Sequence, residues 1–257
     1  MARNKQPGRR REAGPGTLAQ AQAILAQAAD VQDEQRVIAL AREALAVCPD
    51  CADAHVLLAE HSPNQREALD LYERAVAAGK RAIGRDDFEA YEGHFWDTEK
   101  TRSYLRARLG LARRLWAVGQ HEEAAEHYQE LLYLDVLDHQ GVRSLLAFCL
   151  ISLGQDDDLA DLLTEYADDQ SAVWAYSKAL LAFRRHGATL ASRQALQEAR
   201  EINQHVPGFL LAENVPPPDQ PGQRKPGDES EALNYVSTFL AAWQSTPGAI
   251  AWLRAST

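Results

Sequence analysis

Apolar residues along this chain recur at spacings of three and four positions, the pattern of a helix with one buried face. No stretch alternates strictly between apolar and polar residues, so the pattern predicts no strands. Residues that can cap free backbone amides predict helix starts at Thr17, Ser62 and Thr246. Glycine favours the left-handed conformation that ends a helix, and four glycines each follow an apolar-periodic segment: Gly79, Gly119, Gly154 and Gly187.

The helical segments repeat with a period of about thirty-four residues. Residues 111–131 and 146–166 share one spacing of apolar and glycine positions, and a third unit begins at Ala179. Each repeat unit is predicted to be a pair of helices. In the second helix of five such pairs, a residue near the start is followed by further packing residues four and seven positions later. That early position is held by Val37, Ala68, Ala124, Leu159 and Ser192.

This spacing suits pairs of helices that pack through a small residue and fill the gap between neighbouring pairs with a large one. From Val31 to Val206 it resembles the tetratricopeptide repeat, although Ala112 and Ala147 stand where that pattern has glycine. The resemblance implies an all-α fold, a right-handed superhelical solenoid of about five helical hairpins with a C-terminal capping helix. Gly110 is predicted to be a packing or close-approach residue.

Breaks in the pattern predict the domain organisation. We expect a disordered basic tail at 1–16, a repeat domain at 17–212, a Pro/Gly linker at 213–228 and capping helices at 229–257. The capping stripe is predicted from Leu233, Val236, Phe239, Leu240 and Trp243. Residues at about 80–98 exceed the length that the repeat period requires, so they are predicted to form an insertion. The aromatic residues of this insertion are expected to pack onto the repeats as a plug, with His94 hydrogen-bonded inside it.

A second resemblance rests on three segments: the run Gly93–Arg108, the residues Asp138 to Arg143, and Val206-Pro207. These are similar to repeat proteins of the suppressor-of-tumorigenicity-seven family, with a match expected from Tyr91 to about Leu211. The resemblance implies a tetratricopeptide-like fold and no established biochemical activity.

Composition narrows the class of protein further. Apolar residues make up 46% of the chain, and the formal net charge is −10, which disfavours broad binding to nucleic acid or to an anionic membrane. Three cysteines cannot build a disulfide framework, and no apolar run is long enough to span a membrane, so a cytoplasmic location is predicted. The 22 arginines against 5 lysines suggest a bacterial source.

Two clusters could carry chemistry. Cys48, Cys51, His55 and His61 are soft ligands that zinc could use, although their spacing is shorter than in the usual fingers. The segment His94–Glu99 beside Trp96 could imitate an acid–base pair. A metal-binding or hydrolytic enzyme centred on either cluster is an alternative. The favoured interpretation is structural: the thiols lie at a turn, the histidines are packed, and the chain binds no cofactor. The acidic run Asp156–Asp158 is predicted to open a helix.

The repeat register places arginine and aromatic residues where first helices face a concave groove, a mixture enriched at binding hot spots. The predicted groove residues are Arg102, Arg106, Arg113, Trp116, Phe148, Trp174, Lys178 and Arg184. The function predicted is a non-catalytic scaffold that binds a peptide or partner protein in this groove. Binding of single-stranded RNA is an alternative that the net charge disfavours, and the oligomeric state stays open.

Overall fold

The computed structural model describes residues 15–216 and 225–256, and within those ranges the regular elements are fourteen helices. The chain divides into two compact units, Met1–Gln140 and Gly141–Thr257. The first unit contains α1 (Pro15–Ala26), α2 (Glu34–Val47), α3 (Ala52–Glu60), α4 (Gln65–Ile83), α5 (Arg85–Ala90), α6 (Glu99–Ala117) and α7 (His121–Leu134). The second contains α8 (Val142–Leu153), α9 (Asp156–Glu165), α10 (Ala172–His186), α11 (Leu190–Ile202), α12 (Val206–Leu210), α13 (Glu229–Ser245) and α14 (Ala249–Ser256).

The all-α prediction is confirmed for the described residues. The β-type pairing within them is one isolated bridge between His94 and Asp135. The right-handed superhelix and its number of hairpins stay predictions. The predicted basic tail lies outside the described residues except for the start of α1, and residues 217–224 of the predicted linker also lie outside them.

Consecutive helices pack against each other within each unit, as the repeat pattern requires. The five early positions of the second helices all lie in the first turns of helices and are buried. Those positions are Val37 in α2, Ala68 in α4, Ala124 in α7, Leu159 in α9 and Ser192 in α11. The sequence pattern therefore identified a recurring contact between neighbouring helices.

Three of the four predicted helix ends are confirmed, because Gly119, Gly154 and Gly187 follow α6, α8 and α10 with positive φ. The end predicted at Gly79 was wrong. Gly79 is a buried residue inside α4, where an added Cβ would lie 3.3 Å from Tyr104 Cα. The helix continues for one more turn and ends at Gly84, which has φ +81°.

The predicted helix starts were displaced by local capping. The α4 cap is Asn64 rather than Ser62, since the Asn64 side chain accepts hydrogen bonds from the amides of Arg66 and Glu67. Thr17 lies inside α1, which begins at Pro15. The acidic run beginning at Asp156 does open a helix, α9, as predicted.

Gly110 marks a close approach between α4 and α6. An added Cβ at this position would lie 2.1 Å from Cε1 of the buried Tyr72 ring. This distance is far below van der Waals contact, so the ring occupies the space that any larger residue would need. The predicted close-approach role of Gly110 is confirmed.

The predicted insertion packs onto the first unit through aromatic side chains. Phe88 and Phe95 contact each other edge to face at 4.8 Å, and both contact Tyr104. The Phe95 amide donates to the Leu134 carbonyl at 3.0 Å, which ties the segment to the end of α7. The plug therefore forms, but His94 is mostly exposed and is not enclosed in it.

In the second unit α13 packs across α8 and α10. Phe239 meets Phe148 of α8 edge to face, with ring centroids 5.7 Å apart, and Tyr235 contacts Tyr176 of α10 at 5.5 Å. The buried stripe of α13 is formed by Ala232, Tyr235, Val236, Phe239, Ala242 and Trp243. Leu233 and Leu240 of the predicted stripe are only partly buried, because the stripe turns toward Tyr235.

The Glu231 carboxylate joins three segments of the second unit. It accepts hydrogen bonds from the Ala172 amide at 2.9 Å, from the Asn203 side chain at 3.0 Å and from the Gly227 amide at 2.8 Å. These donors lie at the start of α10, at the end of α11 and just before α13. One side chain thus fixes where α13 begins relative to α10 and α11.

We predict that Gly110→Ala destabilises the protein by about 1–3 kcal/mol, because the Tyr72 ring must move or α4 must separate from α6. Gly208→Ala is the matched control, since no atom lies within 4 Å of its added Cβ. Chemical denaturation of both variants measures the difference. Equal stability of the two alanine variants would contradict the close approach.

We predict that Glu231→Ala lowers the free energy of unfolding by about 1–3 kcal/mol, because it removes the acceptor of two backbone amides and one of the two acceptors of the buried Asn203 amide. Glu229→Ala is the control, since Glu229 belongs to the same helical turn and is exposed. Thermal unfolding compares the two variants. The same loss in both would mean that Glu231 acts only through the helix dipole.

Candidate functional site

A cavity of about 460 Å³ opens between α3, α4 and α6 of the first unit. We call it the α3–α6 cavity. It is lined by Val56, Glu60, Tyr72, Arg106, Leu109, Gly110, Arg113, Arg114, Ala117 and Gln140. Six of these residues lie on α6 at spacings that place them on neighbouring faces of the helix, while α3 and α4 supply the opposite wall.

The three arginines of the α3–α6 cavity differ in their partners. Arg106 donates to Asp53 at 2.9 Å and to Glu99 at 2.7 Å. Burial opposes its charge, but these two carboxylates outweigh burial and raise the pKa of the Arg106 guanidinium. Arg113 and Arg114 form no ion pair with any residue in the described ranges. The lining therefore holds two arginines that form no salt bridge among the described residues, with Glu60 as the carboxylate on the same lining.

Tyr72 and Glu60 complete the rim of the cavity. Burial raises the pKa of the Tyr72 hydroxyl, and the Glu60 carboxylate adds to this effect. The phenol thus stays neutral at physiological pH. Combined with Leu109 and Val56, it gives the cavity an apolar floor beside charged arginines, the combination that protein interfaces favour.

Of the predicted groove residues in the first unit, only Arg106 and Arg113 line the α3–α6 cavity. Arg102 lies over the Trp96 ring, 5.9 Å from its centroid, and pairs with Glu99. Trp116 stacks on His121 with centroids 4.2 Å apart.

The predicted groove residues of the second unit are largely taken up by internal contacts. Trp174 is fully buried, Phe148 packs against α13, and Lys178 is partly buried on α10. Arg184 donates to the Ile151 carbonyl at 2.9 Å and pairs with Asp156. Trp174 is therefore a core residue and not part of an open surface.

Sequence reasoning missed Val56, Glu60, Tyr72 and Arg114 as cavity residues. The first three come from α3 and α4, so only the tertiary packing brings them beside α6. The small residues of α6 were a usable signal, since Gly110 and Ala117 flank Arg113 at spacings of three and four residues. The space beside Gly110 is filled by the Tyr72 ring, which the same small residue admits into the lining.

The cysteine and histidine cluster does not converge. Cys48 and Cys51 are buried free thiols, and burial raises the pKa of Cys51 to about 11. The His55 ring donates to the Pro49 carbonyl at 3.2 Å, while His61 contacts Glu34 at the same distance. Across the described part of the chain, no group of three or more His, Cys, Asp or Glu residues could hold a metal ion.

The second chemical candidate is also dispersed. His94 Nδ1 lies 4.0 Å from Asp97 Oδ2, and both side chains are mostly exposed. Trp96 stacks on His139 instead, at 5.3 Å, and Glu99 is bound to Arg106. This arrangement offers no aligned acid and base.

His127 on α7 is a partly buried titratable group, and α7 packs against α6. Burial, together with the positive charge of Arg108, lowers the pKa of its imidazole to about 4. Its Nδ1 is buried and has no hydrogen-bond partner among the described residues. The ring is therefore neutral in the folded protein at physiological pH.

The comparisons with known proteins identify one family. The family model described as ST7 protein matches residues 15–256. Proteins named suppressor of tumorigenicity 7 protein from Macaca fascicularis, Rattus norvegicus and Mus musculus are each 30% identical over 230 residues, covering 79% of this chain. The match covers 42% of the macaque protein and 39% of the rat and mouse proteins, so the chain spans about two fifths of their length.

These matches confirm the predicted resemblance to the suppressor-of-tumorigenicity-seven family and extend it over nearly the whole chain. The tetratricopeptide resemblance stays a prediction. The prediction of a bacterial source was wrong, because these relatives are mammalian proteins and a bias toward arginine reflects nucleotide composition rather than lineage. No helix in the described ranges is long and apolar enough to cross a membrane.

We predict that the free energy of unfolding falls as the pH is lowered from about 6.5 to about 4. In this window unfolded His127 binds a proton that the folded imidazole does not, so the unfolded state gains stability. His127→Gln should show a shallower decrease, and the exposed His186→Gln should not. Urea unfolding across this pH range measures the slopes, and a His127→Gln slope equal to that of the wild type would contradict the assignment.

Proposed function

The chain belongs to the ST7 protein family, and we propose that it acts as a non-catalytic interaction module whose α3–α6 cavity binds an acidic segment of a partner protein. The observation that carries this proposal is the pair Arg113 and Arg114, which form no salt bridge with any described residue and line the cavity with the apolar Leu109. An arginine binds a carboxylate through charge-assisted hydrogen bonds, and apolar contact adds affinity without requiring another charge.

A protein partner fits the charge distribution better than nucleic acid does. The chain has a formal net charge of −10, so it repels a polyanion over most of its surface. The positive charge of the α3–α6 cavity is local and is set among apolar side chains, which suits a short acidic segment rather than a phosphate backbone. The three free thiols fit a reducing compartment, and the proposal includes a cytoplasmic location.

The non-catalytic part of the proposal is supported by the surroundings of the thiols and carboxylates that could react. Burial raises the pKa of Cys48, Cys51 and Cys149, and this keeps all three thiols protonated and poorly nucleophilic. Glu99 and Asp53 are held by Arg106 as structural partners. Among the described residues, the lining of the α3–α6 cavity contains no histidine or cysteine, and Glu60 is its one carboxylate.

We predict that short random peptides selected on the purified chain are enriched in Asp and Glu next to apolar residues. The double variant Arg113→Glu with Arg114→Glu should bind these peptides at least about tenfold more weakly, because attraction becomes repulsion. Affinity should also fall as salt is raised, since the arginines are near solvent. Fluorescence anisotropy at two ionic strengths measures both effects.

The matched control is the double variant Arg36→Glu with Arg42→Glu, which changes the net charge equally on exposed positions of α2. Circular dichroism checks that both variants remain folded. If the selected peptides bind the Arg113 and Arg114 variant as tightly as they bind the control, the α3–α6 cavity is not the binding site.

A further inference from the structure

In the second unit, a further helix covers the face formed by α8 and α10, the first helices of two neighbouring helical pairs. There α8 and α10 lie side by side, and α13 packs across both. Tyr235 and Phe239, one helical turn apart on α13, meet Tyr176 and Phe148. A single amphipathic helix thus fills this face through two aromatic anchors.

In the first unit, α3 and α6 are the corresponding pair, since they also contact each other and are each followed by a second helix. In the described part of that unit α4 packs against both, as the second helix between them, and no additional helix packs across the pair as α13 packs across α8 and α10. The α3–α6 cavity opens at this uncovered face.

The repeat register identifies the residue that differs between the two faces. Arg113 lies thirty-five residues before Phe148, the same offset that relates Leu111 to Leu146. Phe148 contacts Phe239 of α13, whereas Arg113 is exposed at the α3–α6 cavity. The register position that receives an aromatic ring in the second unit therefore presents a guanidinium in the first.

We propose that the α3–α6 cavity receives an amphipathic helix of a partner protein, and that a carboxylate on this helix occupies the place that Phe239 takes on α13. This inference rests on the proposed function and specifies the form of the acidic segment. The helix lays apolar side chains on Leu109 and Val56, and its carboxylate pairs with Arg113. Side chains three or four positions apart on a helix lie on one face, so one helical turn can supply both contacts.

The probe is a synthetic peptide of residues 229–245, the sequence of α13, carrying Phe239→Glu. The parent segment has two acidic residues, Glu229 and Glu231, and no basic ones, so the probe is an acidic amphipathic helix. We expect saturable binding to the full chain, weakened about tenfold by Arg113→Glu. A peptide with Phe239→Lys should bind poorly to the wild-type chain but should regain affinity for the Arg113→Glu variant.

A second pair of peptides tests the helical form. Adding Ser237→Pro to the Phe239→Glu peptide keeps its charge and breaks the helix, because proline cannot donate the internal hydrogen bond. We expect at least a tenfold loss of affinity, and circular dichroism of the mixtures should show a gain of helix only with the unbroken peptide. The Arg36→Glu variant is the control for unspecific charge effects.

The outcomes separate this inference from the proposed function. Equal binding of the proline-containing peptide, or selected acidic peptides that bind at Arg113 without becoming helical, would overturn the helix and leave the acidic-segment site intact. Binding of the probe that does not depend on Arg113, or no binding of the probe, would overturn the inference. Reciprocal rescue by the lysine peptide together with loss on proline substitution would support it.

Discussion

The contact between the Tyr72 ring and the backbone of Gly110 determines how closely α4 approaches α6. The ring fills the space of a missing Cβ, so the two helices pack closer than any side chain at position 110 would allow. This approach also decides what lies at the α3–α6 cavity, because it brings Tyr72 beside the arginines of α6. The packing that stabilises the first unit is therefore the packing that shapes its candidate site.

The same register position has different consequences in the two units. Phe148 is apolar, so covering it with α13 removes apolar surface from water and stabilises the second unit. Arg113 would have to be desolvated to be covered in the same way, and an unpaired buried guanidinium costs far more than an apolar contact returns. A helix that covers Arg113 must bring its own carboxylate. The amphipathic helix α13 has Phe239 at this place and so brings no carboxylate to it.

The local features of the fold could be predicted from the sequence, because they depend on spacing along one helix. The five buried early positions, from Val37 to Ser192, follow from the recurring spacing of the second helices, and the close approach at Gly110 follows from a glycine between two leucines inside a helical segment. The helix end at Gly79 was mispredicted because a glycine can serve either a C-cap or a helix crossing, and only the neighbour Tyr104 distinguishes the two.

The partner of each face could not be predicted from the sequence. The stripe on α13 indicates that one side of this helix is buried, but spacing does not say which helices cover it. The capping helix was predicted, but its contact with Phe148 was not, so Phe148 was assigned to an open groove. Arg106 and Arg113 were found because they share one face of α6, whereas Val56 and Tyr72 reach the α3–α6 cavity only through contacts between helices.

Charged side chains in this chain divide into those that hold helices together and those left for another molecule. Glu231 accepts hydrogen bonds from three donors of its own unit, and Asp53 and Glu99 both accept from Arg106. These contacts tie the carboxylates to neighbouring segments of the fold. Arg113 and Arg114 lack a carboxylate within the described ranges, so their positive charge is available to a partner. The proposed role of the α3–α6 cavity in recognition rests on these two cations beside apolar side chains, the mixture that protein interfaces favour.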